Sequence, residues 1–122
     1  MKIRIRGNAI RLRLSKSDIA LFAKAGLVEE QTHFADSTLV YAIKTARQPA
    51  MTAFFTNGNL TVYLPEKDAM DWLGTDLVGI EAHMPVEGRQ PLHILVEKDF
   101  KCIDASETED QADFYENPVK TC

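Results

Sequence analysis

Residues 10–34, IRLRLSKSDIALFAKAGLVEEQTHF, are echoed fifty positions later by residues 60–84, LTVYLPEKDAMDWLGTDLVGIEAHM. No gap is needed across the window. Leu14 falls on Leu64, Asp18 on Asp68, Leu27 on Leu77, Val28 on Val78 and His33 on His83. Ile10/Leu60, Leu12/Val62, Phe22/Trp72 and Phe34/Met84 keep apolar character. Self-similarity at a fixed spacing marks a repeated structural unit.

The local signals repeat in the same order. KIRIRGNAIRLRL, residues 2–14, alternates apolar and basic residues around Gly7-Asn8, which reads as a hairpin. SKSDIALFAKAG, residues 15–26, then changes period. Ser15 is placed to cap a helix, Asp18 follows three residues on, and Gly26 is a natural stop. Two extended runs, VEEQTHF and TLVYAIKT, flank Ala35-Asp36-Ser37. In the second half MTAFFT and LTVYL flank Asn57-Gly58-Asn59, the strongest short hairpin signal in the chain. Pro65 opens PEKDAMDWLG as a short helix. LVGIEAHM and LHILVEKDF form a last hairpin around residues 85–91.

The expected fold is α+β and mostly β. It consists of duplicated ββαββ units, residues 1–46 and 50–98, in one domain spanning 1–101. One such unit has a small core and open sheet edges. Two copies bury their inner faces and hide those edges by exchanging hairpins. The predicted product is a compact swapped-hairpin β-barrel with pseudo-two-fold symmetry and two short helices. Residues 102–122 follow as an acidic tail.

Composition fits that picture. With 122 residues, 45% hydrophobic and 26% charged, the chain can build a core without disulfide or metal staples. MKIRIRGN lacks the apolar run of a secretory leader, and no stretch reaches membrane-spanning length. The expectation is a cytoplasmic protein, a monomer or weak homo-oligomer, with reduced thiols and no membrane association. Net charge is −4, but its distribution is uneven. Lys2, Arg4, Arg6, Arg11, Arg13 and Lys16 crowd the start, and Asp104, Glu107, Glu109, Asp110, Asp113 and Glu116 crowd the end. The acidic total argues against non-specific nucleic-acid binding, while the basic strip is suited to phosphate.

RGNAIRLRLSKSDIALFAKAGLVEEQ and NGNLTVYLPEKDAMDWLGTDLVGIEA both resemble the AbrB-like swapped-hairpin domain of bacterial transition-state regulators and antitoxins. The shared features are a Gly-Asn turn, an alternating strand ending near serine or proline, a short helix, and a strand opening on Leu-Val. The resemblance covers about residues 3–34 and 53–82. It implies an interlocked domain that binds DNA, here as an intrachain tandem, with Arg6, Arg11 and Arg13 at the DNA-facing positions. The second half carries Thr56, Thr61 and Tyr63 at the same offsets. Family members read GLKEGD after the helix, where this chain reads GLVEEQ and DLVGIE. The whole chain also resembles a family of small uncharacterised bacterial proteins that share KIRIRGNxIRLRL and VEKDFxC.

Three candidate chemistries remain. A last hairpin centred near Gly88 places His93 across from His83, with Glu81 on the same face, and Cys102 is a further potential ligand. That set suits a divalent metal, although no cofactor is required and no local spacing signature such as HxxxH appears. Cys102 and Cys122 lack CxxC spacing, so a pair of unrelated thiols is the simplest account. Arginines and glutamates lining a barrel would make a triphosphate-tunnel-like enzyme, but alternation sends the arginines away from the apolar face. No nucleophile elbow, P-loop or dinucleotide fingerprint is present. The expected role is therefore a binding module, a regulator that meets DNA or a protein partner. An exposed edge at LHILVEKDF would favour the protein partner.

Overall fold

Strict alternation gives a strand one apolar and one polar face, and this chain folds by bringing the apolar faces together. The computed structural model describes residues 1–101 and 113–116. The elements run β1 (Lys2–Arg6), β2 (Ala9–Leu14), α1 (Lys16–Ala25), β3 (Leu27–His33), β4 (Thr38–Ala46), β5 (Thr52–Thr56), β6 (Asn59–Pro65), α2 (Glu66–Gly74), β7 (Gly79–Met84) and β8 (Leu92–Lys98). The class is α+β, mostly β, and the ββαββ order holds in both halves. The expectations placed on Cys102, on Cys122 and on most of the acidic tail lie outside the described residues.

Turn chemistry sets the hairpins. Thr56 pairs with Asn59, so Asn57 and Gly58 close a two-residue loop. Both have positive φ, 52° and 80°, the signature of a type I′ turn. In the first hairpin only Gly7 has positive φ, as the first central position of a II′ turn requires. Gly26, at φ 70°, ends α1 in the left-handed conformation, and its N–H donates to the Phe22 carbonyl at 2.8 Å.

The strands form two four-stranded sheets, ordered β1-β2-β8-β7 and β3-β4-β6-β5. Within each, two antiparallel hairpins meet along a parallel seam. β2 runs beside β8 with Ile10 opposite Ile94, and β4 runs beside β6 with Ile43 opposite Val62. Each sheet thus takes one hairpin from each half of the chain. The predicted closed barrel is not what forms, because the sheets stay separate at their outer strands. There the described contacts run through side chains rather than a ladder. The Ala53 N–H donates to Met84 Sδ at 3.3 Å, and the Met1 ammonium donates to Glu30 Oε1 at 2.9 Å.

Leu12, Leu14, Ile43, Val62, Leu64, Ile94 and Val96 lie between the sheets, fully buried. The helices add Phe22 and Trp72, whose rings meet edge-to-face with centroids 6.2 Å apart, a favoured aromatic geometry. No polar or charged residue is buried among the described residues.

The gap-free register needs correction after the helices. The helices open at Lys16 and Glu66, but β3 opens at Leu27 and β7 at Gly79. Pairing agrees, since Val28 faces Ile43 while Ile80 faces Val96. Two extra residues therefore follow α2. Val28 is buried in the core, whereas Val78 is 49% exposed in the longer loop. The Trp72 indole N–H donates to the Val78 carbonyl at 3.0 Å and anchors that loop. Gly79 comes next because a Cβ there would sit 2.7 Å from the Val96 carbonyl oxygen.

The helix starts also differ. Ser15 and Asp18 form a capping box, while Pro65 precedes α2 without a side-chain cap. Asp18 further accepts from the Met1 ammonium at 2.9 Å. Burial of Asp18 acts to raise its pKa, but hydrogen bonds from that ammonium and from Ser15 outweigh it and hold the value below the usual 3.8.

Trp72→Ala should lower the unfolding free energy by about 3–5 kcal/mol, read from urea denaturation, with an exposed control such as Phe55→Ala within about 0.5 kcal/mol. Asp18 supplies a pH signature. Its depressed folded pKa means that its contribution is present above pH 3.8 and is lost as pH falls through the lower folded value. Asp18→Asn is therefore less stable than wild type at pH 6, and the two urea midpoints converge well below pH 3.8.

Candidate functional site

Alternation on the first sheet sends Lys2, Arg4 and Arg6 of β1 outward, with Arg11 and Arg13 of β2. The ladder sets them in rows. Arg6 stands opposite Ala9, which stands beside His93, which pairs with His83. The next row runs Arg4, Arg11, Leu95, Glu81, and the third runs Lys2, Arg13, Glu97, Gly79. Positive charge thus lies on the β1–β2 side, and imidazoles and carboxylates lie on the β8–β7 side.

A shallow, open groove of about 230 Å³ crosses this face, lined by Arg4, Arg6, Ala9, Arg11, His93 and Leu95. The first hairpin turn, between Arg6 and Ala9, is tied across the seam. Asn8 Nδ2 donates to the carbonyls of Gln90 and Pro91, both at 3.0 Å, and the His93 N–H donates to the Asn8 carbonyl at 3.1 Å. These bonds tie the turn of one half to the returning strand of the other.

Glu97 is the main counter-ion. Its Oε1 accepts from Arg11 Nε at 2.7 Å and from Arg13 Nε at 2.9 Å, and its side chain is only 13% exposed. Lys2 Nζ meets Asp99 at 3.0 Å. Among the described residues, five basic side chains and the acidic Glu81, Glu97 and Asp99 share this face.

Of the predicted trio, Arg6 and Arg11 line the groove, while Arg13 stands one row further along the sheet, shared with Glu97. Arg4, opposite Arg11, also lines the groove. The first-sheet location of Arg4 is legible from alternation. The carboxylate of Glu97 is missed from sequence because its partners lie across a parallel seam 84 and 86 residues away. The alternative of a tunnel requires inward arginines, whereas Arg4, Arg6, Arg11 and Arg13 stand on the outer face, as alternation leads one to expect.

His83 and His93 do face each other, as the hairpin centre predicts. Their rings are stacked, with centroids 4.7 Å apart and planes within 11°. His93 Nε2 is hydrogen-bonded to Glu81 Oε2 at 3.0 Å. No cluster of three or more ligating side chains suited to a metal occurs among the described residues, and Cys102 lies outside them. His33, expected as the partner of His83 in the repeat, sits on the other sheet, with Nδ1 3.0 Å from Thr38 Oγ1.

The matching face of the second sheet is chemically different. The parallel registers set Thr61 and Tyr63 where Arg11 and Arg13 stand, and Val40, Ala42 and Lys44 where His93, Leu95 and Glu97 stand. LHILVEKDF presents no free edge, since β8 lies between β2 and β7.

Over residues 1–119 the chain matches a family of unknown function, DUF7009, and belongs to it. No curated protein and no solved structure matches the chain. Among the described residues no helix is long and apolar enough to cross a membrane.

Glu97 holds two guanidinium groups from a largely buried position. Glu97→Gln should therefore cost about 1–2 kcal/mol of stability, and the loss should shrink in high salt. Thermal denaturation at low and high salt, compared with the exposed control Glu66→Gln, measures it.

Proposed function

We propose that this protein is a small regulatory binding module whose ligand is nucleic acid, held by its phosphates on the outer face of the first sheet. The observation that carries the reading is the shared groove of Arg4, Arg6 and Arg11, set against an equivalent second face whose corresponding positions hold Phe54, Thr56 and Thr61. Guanidinium groups present several donors in a planar fork and stay charged at any physiological pH, which suits them to phosphate oxygens. Concentrating them on one face lets a chain of net charge −4 still offer a local positive field.

The architecture supports the same reading. We infer an internal duplication with exchanged hairpins, the AbrB-like arrangement drawn within one chain. Its supports are the fifty-residue echo through strand and helix, the one-hairpin-from-each-half composition of both sheets, and the facing of Phe22 and Trp72. In such an arrangement one half has kept the basic face and the other has lost it, so the protein engages its ligand from one side only.

Charge reversal tests this. Arg6→Glu and Arg11→Glu should each weaken binding of a labelled oligonucleotide at least tenfold and flatten the dependence of log affinity on log salt by about one per lost phosphate contact. Arg47→Glu, exposed and off this face, should change neither. Fluorescence anisotropy from 25 to 200 mM salt reads both quantities. Arginine variants that bind like wild type would overturn the assignment.

A further inference from the structure

We infer that the nucleic acid bound by this face is single-stranded, with its bases stacked against the His83–His93 pair while the arginines hold its phosphates. The inference rests on the nucleic-acid reading above and adds the ligand's form.

Charge alone does not choose between strands and duplexes, but shape does. Four strands at about 4.8 Å spacing make a platform roughly 14 Å wide between outer strand axes, before side chains are counted. The major groove of B-DNA is about 12 Å wide and admits a helix or a two-stranded ribbon. A four-stranded sheet does not enter it face-on. A single strand, by contrast, lies across a sheet and turns its bases toward aromatic groups on the surface.

The first row supplies both parts of such a site. It begins at Arg6 on one edge strand and ends at His83 on the other, with Ala9 and His93 between. Ala9 is small and leaves the floor low. Leu95, in the next row, adds an apolar patch to the groove. The imidazoles are stacked on each other at 4.7 Å, so they already stand with the ring faces directed along the row rather than flat on the sheet. His83 is exposed and belongs to the outermost strand, where a base can add to the stack. Glu81, bonded to His93 Nε2, fixes the orientation of the inner ring. The span of the row accommodates two or three bases, as on other sheet-surface binders.

The test is anisotropy with a labelled 12-nucleotide oligo(dT), an oligo(U) of the same length, and a mixed-sequence 12-base-pair duplex, with inorganic tripolyphosphate as competitor. Single strands should bind at least tenfold tighter than the duplex. His83→Ala combined with His93→Ala should lose about tenfold or more for single strands, with the salt slope unchanged because phosphate contacts persist. His83→Phe with His93→Phe keeps the rings and should retain most of the affinity, which also guards against a merely misfolded alanine variant. Equal binding of single strands by wild type and the alanine pair, or a duplex bound as tightly as oligo(dT), overturns stacking and leaves the phosphate reading intact if Arg6→Glu still weakens binding. Absence of binding to all three nucleic acids at 25 mM salt overturns both.

Discussion

The parallel seams between the two halves are the constraint on which the structure depends. A hairpin alone leaves both outer ladders unpaired, and an isolated pair of strands is marginal in water. Here β2 finds β8 and β6 finds β4, so every hairpin acquires its partner from the other half. The seam also carries the densest burial, with Ile10, Leu12, Ile94 and Val96 on one side of the core and Ile43, Val62 and Leu64 on the other. The helices serve as spans between hairpins that belong to different sheets. They also add Phe22, Ala69 and Trp72 to the core, with the two rings in edge-to-face contact.

Most of this is legible in the residues, and for local reasons. Gly7-Asn8 and Asn57-Gly58 fix two hairpins, because two-residue loops dictate register. Centring the longer last connection, residues 85–91, near Gly88 places His83 opposite His93. What the residues do not reveal is which hairpin neighbours which, because parallel pairing leaves no short-range trace. Glu97 is the clearest casualty. It looks like a solvated residue in VEKDF until β8 is set beside β2, where it becomes the counter-ion of two arginines. The fifty-residue echo fails for a different reason. Leu27/Leu77 and Val28/Val78 are identical pairs, yet the loop after α2 is longer by two, so identity and position part company. A tryptophan able to bond a loop carbonyl, where phenylalanine stands in the other half, is the one residue-level hint of that insertion.

The two outer sheet faces show how little of a fold's chemistry is set by its framework. Both carry the same ladder geometry, yet one collects guanidinium groups and imidazoles and the other threonine, tyrosine and alanine. Outward positions contribute little to the packed interior, so they are free to diverge while the inward positions remain bound to apolar character. The candidate site is therefore a property of one face rather than of the fold, as is general for sites carried on common frameworks.

That each sheet combines strands from both ends of the chain also has a consequence for how the chain is made. Arg13 and Glu97, joined across the first seam, are 84 residues apart, and a fold dominated by such distant contacts is slow to reach its transition state. During synthesis at about 5–20 residues per second, the first half emerges before the strands that pair with β2 and β4 exist. Its apolar inner faces stay uncovered for several seconds, until β8 leaves the ribosome. On β1 and β2 the strand residues between those apolar ones are nearly all arginine or lysine, and charge repulsion between nascent chains opposes edge-to-edge pairing. The same basic residues that set the charge of the folded face thus oppose pairing between unfinished chains.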